Sequence, residues 1–197
     1  MANLRYLWRH RAKFPIRSKN FYRAWGKRML SFPQLLVSNR HRRLLKRKGA
    51  NIDGSAEIGQ VSVQGKRKLL TIGAFSFLGR VTIALHDEVK IGNRVCINDD
   101  VNILTASHDV SDPEWQHVKG RIEIEDYVWI GTGAMILPGV SLGRGCVVGA
   151  RAVVSKSVAP GAIVVGNPAK VVPKKRVDQL NYNPCEFLAF NRCWLIG

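Results

Sequence analysis

Residues 124–154 read IEDYVWIGTGAMILPGVSLGRGCVVGARAVV, and an aliphatic residue falls at every sixth position: Ile124, Ile130, Ile136, Leu142, Val148 and Val154. Upstream, Ile91, Ile97 and Ile103 keep the same step, as do the pairs Ile52 with Ile58 and Ile72 with Leu78, with irregular spacers between them. Glycine often follows the aliphatic residue, at Gly59, Gly73, Gly79, Gly92, Gly131, Gly143 and Gly149. A period of six matches neither the 3.6 of an α-helix nor the 2 of a simple strand. It fits a chain that turns a corner every six residues, so that three short strands close one triangular coil of about 18 residues. Each aliphatic residue then points inward and stacks on its counterpart one coil away, and small residues fill the other inward positions. Glycine is assigned to corners where the backbone needs unusual dihedral angles. Hydrogen bonds run between coils, so each coil needs its neighbours. A β-sandwich is the competing reading, but strand alternation alone does not repeat glycine in phase with a step of six. The predicted fold class is mainly β: a parallel β-helix, the hexapeptide solenoid, with a basic helical N-terminal arm and a short C-terminal segment.

The step from Ile103 to Ile124 breaks the phase and marks an inserted loop, residues 105–121. The solenoid is expected over residues 50–173, preceded by an arm at 1–49 and followed by an extension at 174–197. The 197 residues suffice for one such domain, and no apolar run is long enough to span a bilayer. Residues 1–30 alternate basic and aromatic side chains without the clean apolar stretch of a secretory signal. A cytoplasmic location is expected, with the inner membrane face as a peripheral site.

The net charge of +17 is concentrated in the arm. Residues 1–52 hold 15 Lys or Arg and no Asp or Glu, whereas the rest of the chain is nearly balanced. Interleaved with Trp8, Phe14, Phe21, Tyr22, Trp25 and Phe32, this charge reads first as a membrane-surface or acidic-partner element. A solvated helix pair packed on the main domain is the plainer reading. Nucleic acid is a weaker rival and is not an expected partner. Leu35, Leu36, Leu44 and Leu45 recur at helical intervals, and Pro15 and Pro33 are expected to break the arm into pieces. The C-terminal residues Phe187, Leu188, Phe190, Trp194, Leu195 and Ile196 suggest an element folded back on the prism wall or on a neighbouring subunit. The four cysteines lack C-x-x-C spacing, so neither a zinc nor a redox site is expected. Cys96 and Cys146 fall inside the repeat and read as core thiols.

The segment from Val128 to Val172 carries W-I-G, I-L-P-G-V, V-x-G-A-x-x-V-V and G-N-P-A-K in order. In these motifs the chain resembles the hexapeptide-repeat acyltransferases, and most of all the branch of sugar O-acetyltransferases and exopolysaccharide acetyltransferases. The resemblance spans roughly residues 50–173. It implies a left-handed β-helix, a homotrimer and acetyl-CoA as acyl donor, bound in the groove between adjacent prisms, with no metal. The inserted loop would reach across to a neighbour.

The stretch Thr105-Ala106-Ser107-His108-Asp109 is similar to the family's catalytic histidine motif, which makes His108 the candidate general base. Imidazole titrates near neutrality and suits direct attack on an activated thioester. The second ring nitrogen must be held to fix the tautomer, by Asp109, by Asp99 or by a backbone carbonyl. On the donor side, Thr132, Ala150, Ser155, Lys156 and Lys170 match CoA-contacting positions, the two lysines facing phosphates. Trp129 follows W-I-G and is assigned to the tunnel near the thioester. Gly131 and Gly133 offer amides for an oxyanion. The acceptor side does not carry over. The positions matching the sugar-binding asparagine and aspartate are Leu78 and His86, which puts maltose and galactoside in doubt and leaves Asn98 and Asp99 as acceptor candidates.

The implied activity is transfer of an acetyl group to a hydroxyl, or less readily an amine, of a sugar or polysaccharide-related acceptor. If the arm lies on a membrane, that acceptor would be a lipid-linked glycan. A non-catalytic binding or scaffold protein on the same fold is the alternative. A metal held by His86, His108 and His117 is disfavoured by their spacing, and no Rossmann-like half precedes the repeat.

Overall fold

The six-residue step becomes the face of a triangular prism. The computed structural model describes residues 1–187 and 189–197. Strands Asn51–Ile52, Leu70–Ile72, Val89–Ile91, Ile122–Ile124 and Ser141–Leu142 stack as one parallel sheet, the first face. The second face contains Glu57–Ile58, Phe77–Leu78, Cys96–Ile97, Trp129–Ile130, Val147–Val148 and Ala162–Val165. The third contains Val61–Gly65, Val81–Leu85, Val101–Leu104, Met135–Ile136 and Val153–Val154.

Register puts like residues on like. On the first face Ile52, Ile72, Ile91, Ile124 and Leu142 form one column. Ile58, Leu78, Ile97, Ile130, Val148 and Val164 form the second. Val63, Ile83, Ile103, Ile136 and Val154 form the third. All of these side chains are buried. The prism is a parallel β-helix, as the repeat requires. The irregular upstream spacing also has a cause. Asn51 lies beside Thr71 and Thr71 beside Lys90, whereas Glu123 lies beside Ser141. The early coils are longer because their third-face strands run to five residues.

Glycine in phase with the repeat has a different reason from the one expected. None of the seven in-phase glycines has a positive φ. A Cβ on Gly73 would stand 2.5 Å from the Gly92 carbonyl oxygen, and one on Gly131 would stand 2.7 Å from the Ala150 amide nitrogen. Adjacent coils approach too closely there for any side chain. Left-handed corner positions fall instead to residues such as Phe75, Arg94, Asp100, Tyr127 and Arg151, along with Gly133 and Gly145.

Helix α1 (Leu4–His10) and helix α2 (Lys19–Arg47) form the arm, joined through Pro15. Contrary to expectation, α2 runs straight through Pro33. The proline lacks an N–H, so the Met29 carbonyl has no intrahelical partner, but Met29 and Pro33 both lie on the exposed side, where water can take it. Leu45 joins the solenoid core and closes its open end.

The C-terminal segment uses two surfaces. Arg176 and Tyr182 lie on the prism wall, where the Arg176 Nη1 and the Tyr182 hydroxyl both donate to the Tyr127 carbonyl, at 2.9 and 3.0 Å. Helix α3 (Ala189–Leu195) packs on the arm and touches the prism: Trp194 is buried against Leu7 and Leu35, its indole N–H donates to the Ser31 hydroxyl at 3.2 Å, and the Asn191 amide donates to the Glu57 carboxylate. Phe187 and Ile196 are exposed. Leu188 lies outside the described residues.

Candidate active site

The inserted loop is a β-hairpin standing on the edge between the third and first faces. Its strands, Ala106–His108 and His117–Lys119, pair antiparallel with His108 opposite His117. Its root is fixed by Thr105, which is wholly buried. The Thr105 hydroxyl donates to the Ala84 carbonyl at 2.7 Å and accepts from the amides of His86 and Asp87 at 2.8 and 3.0 Å. The tip is held by aspartates that satisfy local amides. Asp109 accepts from the Ser111 N–H, and Asp112 accepts from the N–H groups of Glu114 and Gln116.

His108 stands half-buried in this hairpin. Its Nδ1 lies 2.6 Å from the Trp115 carbonyl oxygen, and the Trp115 ring stacks on the imidazole, centroids 3.5 Å apart and planes 10° from parallel. A carbonyl can only accept, so Nδ1 carries the proton. In the neutral ring Nε2 is then the unprotonated nitrogen, the form a general base requires. Of the three candidate orienting groups, the structure selects the backbone carbonyl. Asp109 faces Ser111, and Asp99 stands on another edge, where it accepts from the Arg80 amide at 2.8 Å. Trp115 reaches this pose with a positive φ of 51°, a conformation that bulky residues seldom adopt.

Two further histidines gather here. The His117 ring lies 4.3 Å from His108 and 5.7 Å from His86, centroid to centroid. Desolvation first, and then the neighbouring His108, His86 and Lys119, hold the His117 imidazole below its ordinary pKa. Among the described residues no group of three or more His, Cys, Asp or Glu is arranged to hold a metal ion.

The remaining candidates fall into three places. Thr132, Ala150 and Lys170 belong to the edge between the second and third faces: Thr132 and Ala150 follow second-face strands, and Lys170 pairs with Val165 at the end of that face. Asn98 and Asp99 lie on the same edge, one coil before Thr132. With Phe77, Arg80, Asp100 and Thr132 they line a surface cavity of about 300 Å³. Ser155 and Lys156 follow a third-face strand and so share the edge of His108. Trp129 belongs to neither edge. It faces outward from the second face, 44% exposed, into a cavity of about 440 Å³ lined also by Phe77, Cys96, Asn98, Arg176, Tyr182, Pro184 and Phe187. Cys96 is therefore not a core thiol as expected. It faces this outer cavity, where burial pushes its pKa up to about 11, whereas Cys146 is fully buried in the prism. Within one chain, His108 and the Thr132–Ala150 pair stand on different edges. Trp115 is the site residue that sequence reasoning missed, and a main-chain acceptor leaves no signature in residue type.

Comparison with known proteins follows this geometry. Residues 121–156 match the bacterial transferase hexapeptide (six repeats) family. A chloramphenicol acetyltransferase of Agrobacterium fabrum is 52% identical over 115 residues, 55% of this chain and 53% of that protein. A galactoside O-acetyltransferase of Lactococcus lactis is 30% identical over 106 residues, 52% of this chain and 50% of that protein. The chain thus spans about half the length of these curated relatives. A hexapeptide-repeat acetyltransferase of Vibrio cholerae, solved with acetyl-coenzyme A, superimposes with a TM-score of 0.65 at 25% identity, over 90% of this chain and all of that one. By its repeat and its fold, the chain is a parallel β-helix built on a six-residue step, and residues 121–156 are similar to the hexapeptide transferase family. Within that class it is similar to the acetyltransferases.

Proposed function

We propose that the chain is an acetyl-CoA-dependent O-acetyltransferase, with a sugar or polysaccharide-related hydroxyl as acceptor and His108 as general base. One observation carries this reading: the Trp115 carbonyl holds Nδ1–H of His108 and leaves Nε2 as the proton acceptor. The relative solved with acetyl-coenzyme A supports the donor, and the galactoside relative supports a hydroxyl acceptor.

In the proposed reaction Nε2 takes the acceptor's proton as its oxygen attacks the thioester carbonyl. The tetrahedral intermediate expels the CoA sulfur, which recovers the proton from the imidazolium. No covalent enzyme intermediate is needed, because the thioester is already activated. Thr132 and Ala150 are small and exposed, so the donor's chain can lie along their backbone, with Lys170 toward its phosphates. His108 on one edge and this donor strip on another meet when two prisms pack side by side. The reading therefore includes a homotrimer, a common closed symmetry, with Ser155 and Lys156 completing the groove beside His108.

The test is thiol release from acetyl-CoA against a panel of sugars, nucleotide-sugars and chloramphenicol. His108→Ala should lower kcat by about 10²–10⁴. Release that survives this change would overturn the mechanism. Co-expressing His108→Ala with Ala150→Trp should restore part of the activity that each lacks alone. No recovery would mean that each chain holds a complete site.

A further inference from the structure

Helix α2 buries five polar side chains among its eight buried positions and leaves several large apolar ones facing outward. Its buried positions are Ala24, Arg28, Ser31, Leu35, Ser38, Asn39, Arg42 and Leu45. The polar members close against main-chain groups. Arg28 donates to the carbonyls of Ala12, Cys193 and Trp194, at 2.7, 3.2 and 3.3 Å. Arg42 donates to the carbonyls of Asp53 and Ala56, and Asn39 accepts from the Leu4 amide at 3.0 Å. Opposite them, Leu30 is 85% exposed, Met29 73%, Val37 64% and Tyr22 62%, with Leu36 and Leu44 about half exposed. Ile16, three residues ahead of the helix, is 81% exposed, and Trp8 of α1 is 48% exposed. An amphipathic helix that served only to cover the prism would place these faces the other way round.

Basic side chains are set among the outward apolar ones. A groove of about 490 Å³ has Leu4, Leu36 and Leu44 in its walls, together with Arg40, Arg43, Arg47 and Asn39. Among the described residues, the ion pairs that the chain makes leave these three arginines out. Residues 1–52 supply no acid that could neutralise them. Leucine walls bordered by guanidinium groups suit a ligand with an anionic head and an apolar body. A second copy of the arm fails this requirement, because it would bring the same positive charge against itself.

We infer that the arm is a docking surface for an anionic phospholipid membrane: Tyr22, Met29, Leu30, Val37 and Trp8 enter the headgroup boundary, and Arg40, Arg43 and Arg47 hold phosphates. This inference rests on no part of the acyl-transfer reading. Each basic contact strengthens binding about fivefold at low ionic strength and weakens with screening.

The test is co-sedimentation of the full chain with vesicles of phosphatidylcholine alone, or with about 30% phosphatidylglycerol, at low and at roughly 0.5 M salt. Binding should require the anionic lipid and fall at high salt. Arg40→Glu with Arg43→Glu should weaken it more than tenfold. Leu30→Ser with Val37→Ser leaves charge unchanged and should weaken it about tenfold, with circular dichroism and oligomer mass unaltered. Equal binding to neutral vesicles, or no binding at all, overturns the inference. So does Leu30→Ser with Val37→Ser dissociating the oligomer, which would make this face a subunit contact. Salt-sensitive binding to duplex nucleic acid with none to vesicles would overturn it in favour of that partner.

Discussion

Replacing Thr105 by valine should loosen the hairpin that carries His108, and the structure sets the size of the effect. Valine has nearly the shape of threonine, so the wholly buried site stays filled. What disappears is an oxygen that donates to the Ala84 carbonyl and accepts from two amides, those of His86 and Asp87. The Ala84 carbonyl keeps a second donor, the Thr105 amide at 3.3 Å, so its loss is small. Among the described residues the two amides have no other acceptor. A buried donor left without a partner costs about 1–3 kcal/mol, and because both lie near the prism edge the lower end applies to each, about 2 kcal/mol together. Thr105→Ser keeps the oxygen and deletes one methyl, which costs about 1 kcal/mol. Urea unfolding at one fixed protein concentration measures both, since assembly makes stability concentration-dependent. Thr105→Val should lie below Thr105→Ser in midpoint with an unchanged slope, and its kcat should fall because the root positions His108. A valine variant as stable as wild type, or more stable than the serine variant, would refute this account of the hairpin root.

The other expectations are smaller in scope. Trp115→Ala removes the ring stacked on His108 but leaves the carbonyl that orients it, so kcat should drop by about fivefold, corresponding to roughly 1 kcal/mol of stacking, and much less than in His108→Ala. Because the folded chain holds His117 below its ordinary pKa, the unfolded chain takes up more protons there as pH falls through the histidine range, and this site costs the fold stability on the acid side. His117→Gln should therefore narrow the gap between urea midpoints at about pH 7.5 and about pH 5.5. With its thiol pushed up to about 11, Cys96 should alkylate with iodoacetamide roughly a hundredfold more slowly in the native protein than after urea unfolding, as read by mass spectrometry. Fast native labelling would mean that Tyr182 and Pro184 do not cover it.

The columns of the prism were legible because a step of six leaves one geometric solution. Ile91, Ile97 and Ile103 had to lie on three successive faces, and they do. Gly73 and Gly131 were placed at the right corners for the wrong reason. A glycine chosen for backbone freedom and one chosen for close coil contact look the same in a sequence, and only the 2.5 and 2.7 Å distances separate them. Pro33 misled for a related reason. The rule that proline ends a helix assumes that the freed carbonyl is hard to satisfy, and on an exposed helix face it is not. Cys96 misled because the residue just before an inward aliphatic points out of the prism, as alternation along a strand requires.

Two features of the site divide what the chain order could reveal. Edge membership was in principle readable: Thr132 and Ala150 are eighteen residues apart and must share an edge, whereas Ser155 and Lys156, about six past Ala150, must occupy the next. That count alone separates the proposed donor strip from His108. The tautomer was not readable, because it depends on a main-chain oxygen seven residues beyond the histidine, brought back by a turn that Asp112 holds through the amides of Glu114 and Gln116. A histidine oriented by backbone constrains the fold of the hairpin more than the identity of any neighbour. Substitutions that change side chains around His108 should therefore be tolerated better than those that change the hairpin's length.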